Sequence, residues 1–143
     1  MGMFCYQCEQ TAKGTGCTVN GVCGKGQDVA ALQDLLVFQM KGISRYADEA
    51  RKKGIKTDEA DKFVMEGLFT TVTNVSFDPE RIAEIIKSGA EVKASLKAAY
   101  LEQGGTEIED PAAKWEPSGD LDALIAEGNK VGIDSEVFGP EDE

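Results

Sequence analysis

Residues 28–54 read DVAALQDLLVFQMKGISRYADEARKKG, and the spacing of their apolar side chains decides the fold. Val29, Leu32, Leu36, Met40, Ile43, Ala47 and Ala50 recur at three- and four-residue steps. At 3.6 residues per turn that spacing makes one apolar stripe down one face of a helix. Asp28 suits the N-cap, Lys52 and Lys53 complement the negative end of the helix dipole, and Gly54 suits the residue just past the end. The stretch therefore predicts a helix over 28–53 whose stripe needs partners to cover it.

Three more segments supply those partners. A second helix starts with Thr57 or Asp58 as its cap, carries Ala60, Phe63, Val64, Leu68, Thr71 and Val72 on one face, and ends near Asn74. Its last part, Leu68–Val75, is rich in β-branched residues and suits a strand by propensity; the helical period that precedes it decides for helix. A third helix has the clearest start. Asp78 caps it and Pro79 falls at its first position, where a missing N–H costs nothing. Ile82, Ile85, Ile86, Gly89, Leu96 and Tyr100 form its face, and Gly104-Gly105 ends it. Residues 104–119 read as a long connection containing the lone Trp115, which is expected to cover the open face of the bundle. A short helix follows from about Gly119 to Lys130, with Leu121, Leu124 and Ile125 inward, and Asp134–Glu143 reads as an acidic tail.

No internal repeat is visible, and no alternating pattern is strong enough to build a sheet. Helices joined by short loops pack as antiparallel neighbours. The fold class expected is all-α: a three-helix bundle over 28–104, preceded by an irregular cysteine loop over 1–27 and followed by the connection, short helix and tail over 105–143, all within one structural domain.

The chemistry sits in the loop. All four cysteines of the chain lie there, as Cys5, Cys8, Cys17 and Cys23 with spacing C-x2-C-x8-C-x5-C. Five glycines, Gly14, Gly16, Gly21, Gly24 and Gly26, interrupt every candidate element between them, as a loop wrapping a compact inorganic object requires. Two disulfides confined to this strip would leave the rest of the chain unstapled. Soft thiolates in a set of four select zinc or an iron–sulfur cluster. The first pair fits a structural zinc site, but Cys17 and Cys23 are spaced more widely than the usual zinc pairs. The spacing also departs from the common ferredoxin patterns. Spacing alone favours a cluster, with zinc the alternative. Phe4 and Tyr6 are placed to shield such a centre, glycine-rich main chain to aim N–H groups at sulfur, and Lys13 and Lys25 to offset negative charge.

Composition excludes other classes. The chain has 26 acidic and 15 basic residues and a net charge of −11, which argues against nucleic acid or an anionic membrane as partner. No apolar run approaches a membrane span, and no basic region followed by an apolar stretch reads as a secretory signal. The doubled methionine of Met1-Gly2-Met3 suggests a natural start at Met3. An acidic chain with clustered thiols suits a reducing cytoplasm. Histidine is absent, so histidine acid–base catalysis and histidine metal ligation are out of reach. Glu59, Asp61 and Glu66 read as solvated charge on the second helix. Gly24-Lys25-Gly26 does not meet the phosphate-loop spacing, because Val19 stands where the first glycine belongs.

Between the cysteines the sequence carries a resemblance. Met3-Phe4-Cys5-Tyr6-Gln7-Cys8-Glu9-Gln10-Thr11, Gly16-Cys17-Thr18 and Gly21-Val22-Cys23-Gly24-Lys25 resemble the N-terminus of the hybrid cluster proteins, also called prismane proteins or hydroxylamine reductases. The likeness continues through Leu32-Gln33-Asp34-Leu35-Leu36, Lys41-Gly42-Ile43 and Glu66-Gly67-Leu68-Phe69 and weakens after about Gly104. It implies that Cys5, Cys8, Cys17 and Cys23 bind a [4Fe-4S] cluster, a wider spacing in the family going with [2Fe-2S]. It also implies a helical domain that relays electrons to a hybrid cluster in further domains, where hydroxylamine or nitric oxide is reduced. The ligands of that hybrid cluster include a histidine and later cysteines, and this sequence has neither. Reductase chemistry is therefore not expected from these residues alone. The chain reads as the first part of such a protein, whose partners would be the C-terminal domains it lacks, an unidentified electron donor, or a second copy in a homodimer. The competing reading is a metal-stapled interaction module without a redox role.

Overall fold

In the computed structural model, which describes residues 3–5, 8, 10–72 and 78–131, the predicted stripe lies on helix α1 (Gln27–Lys52). The rest of the helical body is α2 (Asp58–Val72), α3 (Pro79–Glu102), the short α4 (Pro111–Lys114) and α5 (Leu121–Val131). The all-α expectation holds. Tyr6, the second helix's end near Asn74 and the tail Asp134–Glu143 lie outside the described residues.

Helix α1 is the axis of the molecule, with each of the other four helices packed against it. Leu32, Leu35, Leu36, Ile43, Tyr46 and Ala50 have no exposed surface. Burying a side chain of Leu or Ile size contributes about 1.5–3 kcal/mol, so this one helix carries much of the core. Its first half meets Ile82 and Ile86 of α3 and Leu124 of α5; its second half meets Ala60 of α2, Leu96 and Tyr100 of α3, and Ile108. Helices α4 and α5 come close to α1 at two glycines. A Cβ on Gly42 would stand 2.2 Å from the Ala112 carbonyl oxygen, and one on Gly128 would stand 2.1 Å from that of Ala31.

Start and stop signals account for most of the boundaries. Asp78 caps α3 by accepting from Glu80 N–H at 3.0 Å, with Pro79 next. Past α1, Gly54 has φ +76°, the left-handed conformation that ends helices. Two starts differ from expectation. Helix α1 begins two residues early, with Gly26 as N-cap in place of Asp28: its carbonyl accepts from Ala30 N–H at 3.0 Å. Asp28 therefore sits in the first turn, where its charge suits the dipole without capping. Helix α5 begins at Leu121, because the Asp120 carboxylate accepts from Ala123 N–H at 3.0 Å.

The long connection is better ordered than its composition implied. Asp110-Pro111 repeats the start signal of α3, and Asp110 accepts from Ala112 N–H at 2.9 Å. Trp115 packs on the core edge-to-face with Phe38, ring centres 6.2 Å apart, and so covers the face assigned to it. A buried cation ties these parts together. The ammonium of Lys93, on α3, donates to the carbonyls of Ala113 and Trp115 and pairs with Glu116 at 3.0 Å. On α2 one of the described stripe residues is misplaced. Leu68 is 45% exposed, at the edge of an apolar groove it lines with Val37, Met40, Val64 and Ala112.

Candidate metal centre

Among the described residues of 3–26 there is no regular element longer than the 3-10 turn Ala12–Gly14. Main-chain pairing therefore does the positioning. Cys5 and Cys17 face each other in an antiparallel bridge, with Cys5 N–H donating to the Cys17 carbonyl at 3.0 Å and Cys17 N–H returning to Cys5 at 2.9 Å. Met3 N–H extends the pairing to the Thr18 carbonyl at 3.0 Å. Two thiols far apart in sequence are thereby fixed as neighbours.

The chain between them turns back at Thr11–Gly16. Gly14 N–H donates to the Thr11 carbonyl at 3.0 Å and Gly16 N–H to the buried Thr11 hydroxyl at 3.1 Å. Gly16 has φ +116°, and a Cβ there would stand 2.3 Å from the Phe4 ring. Only glycine satisfies both conditions. After Val22 a second turn carries Cys23, closed by Gly24 N–H to the Gly21 carbonyl at 2.9 Å and Gly21 N–H to the Lys25 carbonyl at 2.7 Å.

These turns bring the four cysteines together. Cys5, Cys8, Cys17 and Cys23 border one cavity of about 30 Å³, with Gln10, Thr11, Gly21, Val22, Lys25 and Thr71 completing its wall. None of the four cysteines forms a disulfide. Cys17 is buried, Cys5 half-buried, and Cys8 and Cys23 exposed. Cys8, Val22 and Cys23 thus form an outer wall that faces solvent and can give way to a guest larger than one water. Two sulfurs have donors beside them: Ala12 N–H lies 3.4 Å from Cys17 Sγ, and the Lys25 ammonium 3.5 Å from Cys5 Sγ. Among the described residues no three Cys, Asp or Glu side chains are grouped as a single-ion site. The donor set nonetheless fits a thiolate-held metal group: four soft ligands on one cavity, a cation and an amide N–H at sulfur, and no carboxylate among the described lining residues.

The supporting residues divide unevenly. Lys25 is at the cavity, whereas Lys13 is exposed on the 3-10 turn and takes no part in the wall. Phe4 is buried, but it packs under Gly16 and does not line the cavity. The sequence pattern gave no sign of Thr71. It belongs to the stripe of α2 and is 1% exposed, with its hydroxyl donating to the Leu68 carbonyl at 2.8 Å. Its place in the cavity wall brings the end of α2 against the loop. Nothing in a helical stripe distinguishes a threonine that meets the core from one that meets a cysteine loop.

Comparison with known proteins agrees with the resemblance seen in the loop. The model of the Prismane/CO dehydrogenase family matches residues 3–133. A hydroxylamine reductase of Geobacter metallireducens is 49% identical over 142 residues, covering 94% of this chain and 26% of that protein. One of Methanocella arvoryzae is 49% identical over 137 residues, covering 95% of this chain and 25% of its own length. One of Syntrophobacter fumaroxidans is 48% identical over 141 residues, covering 98% and 26%. The chain thus spans about a quarter of the length of these curated relatives. By a family match that takes in the cysteine loop and all five helices, it belongs to the Prismane/CO dehydrogenase family.

Proposed function

We propose that this chain is an iron–sulfur unit: Cys5, Cys8, Cys17 and Cys23 hold a [4Fe-4S] cluster and pass single electrons toward a reducing centre outside these residues. The observation that carries the reading is the cavity itself, which all four cysteines of the chain border. Relatives named hydroxylamine reductase add to it, since a reductase consumes electrons that some part of the protein must deliver. A cluster bound there supplies one-electron transfer at a potential set by its surroundings.

The residues of this chain have definable parts in that task. The Cys5–Cys17 bridge and the turn around Cys23 fix where three of the ligands, Cys5, Cys17 and Cys23, stand. Ala12 N–H and the Lys25 ammonium donate to sulfur and offset negative charge. Exposed Cys8 and Cys23 mark the edge at which an electron enters or leaves. The chain contains no histidine and no cysteine after Cys23, so the substrate-reducing step is assigned to other parts of a longer protein. Four thiols kept for a metal suit a reducing compartment, the cytoplasm.

The test is iron and labile sulfide measured on anaerobically purified chain. The expected result is brown protein with about four of each per chain. Two of each would replace the [4Fe-4S] assignment with [2Fe-2S]. Colourless protein with one tight zinc would sink the electron-transfer reading in favour of a metal-stapled interaction module.

An interaction role has its own support. Met65 is 67% and Phe69 59% exposed on α2, beside the groove that Leu68 lines. Exposed apolar patches of this kind promote association, and the partner proposed is a second copy of the chain. Light scattering that reports a monomer at high concentration counts against it.

A further inference from the structure

We propose that Lys25 sets the reduction potential of the centre held by the four cysteines, acting as a positioning residue through Cys5. This deepens the iron–sulfur reading and rests on it. Lys25 is 3% exposed although it lies on a turn whose neighbours Cys23 and Gly24 are exposed. A buried ammonium is uncommon, because removing its charge from water is costly unless an opposite charge answers it. Among the described residues Lys25 has no carboxylate partner; its ammonium points at Cys5 Sγ, 3.5 Å away. The same side chain is part of the cavity wall, and no other lysine or arginine is. The chain therefore spends a buried positive charge on the place where four thiols meet.

The electrostatic consequence has a fixed sign. Thiolate ligands give the site negative charge, and each reduction adds one electron from the donor while breaking no bond. A positive charge held beside the site in a medium of low dielectric favours the more negative, reduced state. The effect depends on burial. Lys13, exposed on the 3-10 turn, has its field screened by water and salt, which makes it the control for charge as such. The backbone of Lys25 is pinned by the Gly21 N–H bond to its carbonyl, so the side chain is delivered to Cys5 by the same turn that presents Cys23.

The experiment is a redox titration of anaerobically reconstituted chain, followed by visible absorbance, on wild type and on K25M, K25Q, K25R and K13M. K25M is expected to lower the equilibrium constant for reduction about tenfold, which is about 59 mV for a one-electron couple. K25Q, which can donate a hydrogen bond but carries no charge, should fall with it. K25R should stay near wild type and K13M should not move. A K25M midpoint equal to wild type, or K25M and K13M shifts of equal size, would overturn the proposal. So would neutral variants that fail to load iron while K25R loads it, because Lys25 would then retain the metal instead of tuning it. The two levels fail separately. A wild type without any reversible one-electron wave removes the iron–sulfur reading and this inference together, whereas a wild-type wave unmoved in K25M removes only the role of Lys25.

Discussion

Between Gln27 and Val131, six side chains of α1 alone have no exposed surface, all apolar or aromatic; among the described residues between Met3 and Gly26 the buried side chains are Phe4, Thr11, Cys17 and Lys25. The helical body is held by stripes that remove apolar area from water, a term that needs no ligand. Among its described residues the loop buries a ring, a hydroxyl, a thiol and an ammonium. Its shape is written in main-chain hydrogen bonds across the Cys5–Cys17 bridge and two turns. Such bonds contribute about 1 kcal/mol net each, too little to fix a strip rich in glycine against its conformational entropy. On the proposed reading the missing term is metal–thiolate bonding, which couples local folding to loading. One part of the molecule then folds on its own account and the other folds on its guest.

The sharpest way to break that contrast is Cys17→Ser. Cys17 is the buried thiol, lies in the bridge and accepts from Ala12 N–H. The variant is expected to lose most of its iron and sulfide while its far-UV circular dichroism keeps the helical signal of wild type. Helix content that collapses with the metal would show that the two regions are not separable. Thr71, which stands in both, is where such coupling would pass.

Ile86→Ala attacks the other side. Ile86 has no exposed surface, and its carbonyl accepts from the buried Gln39 amide at 2.7 Å. Emptying that position should cost about 3 kcal/mol in chemical denaturation, with metal content of the folded fraction unchanged. Loss of loading at full helicity would contradict the division of labour. Lys93→Met is expected to cost somewhat less, about 2 kcal/mol, by leaving the Ala113 and Trp115 carbonyls without their donor. Because those carbonyls end α4, hydrogen exchange should rise first across residues 110–116. Uniform exchange along α3 instead would mean that Lys93 serves only its own helix.

The same contrast explains what could be read from the sequence. Stripes and caps are local, so α1, α3 and the fold class were legible in Val29–Ala50 and in Asp78-Pro79. Helix α4 was not, although Asp110-Pro111 has the same grammar, because four residues are too few to show a period. Lys93 sits four residues after Gly89 and three before Leu96, at core spacing, but its charge disguised it. Its partners are two carbonyls and a carboxylate some twenty residues along the chain, which no local side-chain pattern reveals. At the site the four cysteines announced themselves, and the bridge that pairs the first with the third did not. Lys25 and Lys13 looked alike in sequence; burial alone separates them.

The smallest effect expected lies on the surface, far from both contrasts. Lys97 on α3 donates to Glu107 at 2.6 Å, tying the helix to the connection that follows it. That hydrogen bond, then the charge of Lys97, holds the Glu107 carboxyl below the ordinary carboxylate range. A carboxyl depressed in the folded state favours folding when ionised. Its contribution is therefore present above the unfolded value of about 4.3 and disappears as pH falls through the lower folded value. Glu107→Gln should lower the melting temperature slightly near neutral pH and make no difference once wild type is protonated in acid. Both groups of the pair are partly exposed, so salt should shrink the difference as acid does. A gap between the two proteins that persists in acid and high salt would assign the effect to packing of the 104–110 segment, where Ile108 N–H reaches the buried Tyr46 hydroxyl at 3.2 Å, and not to charge.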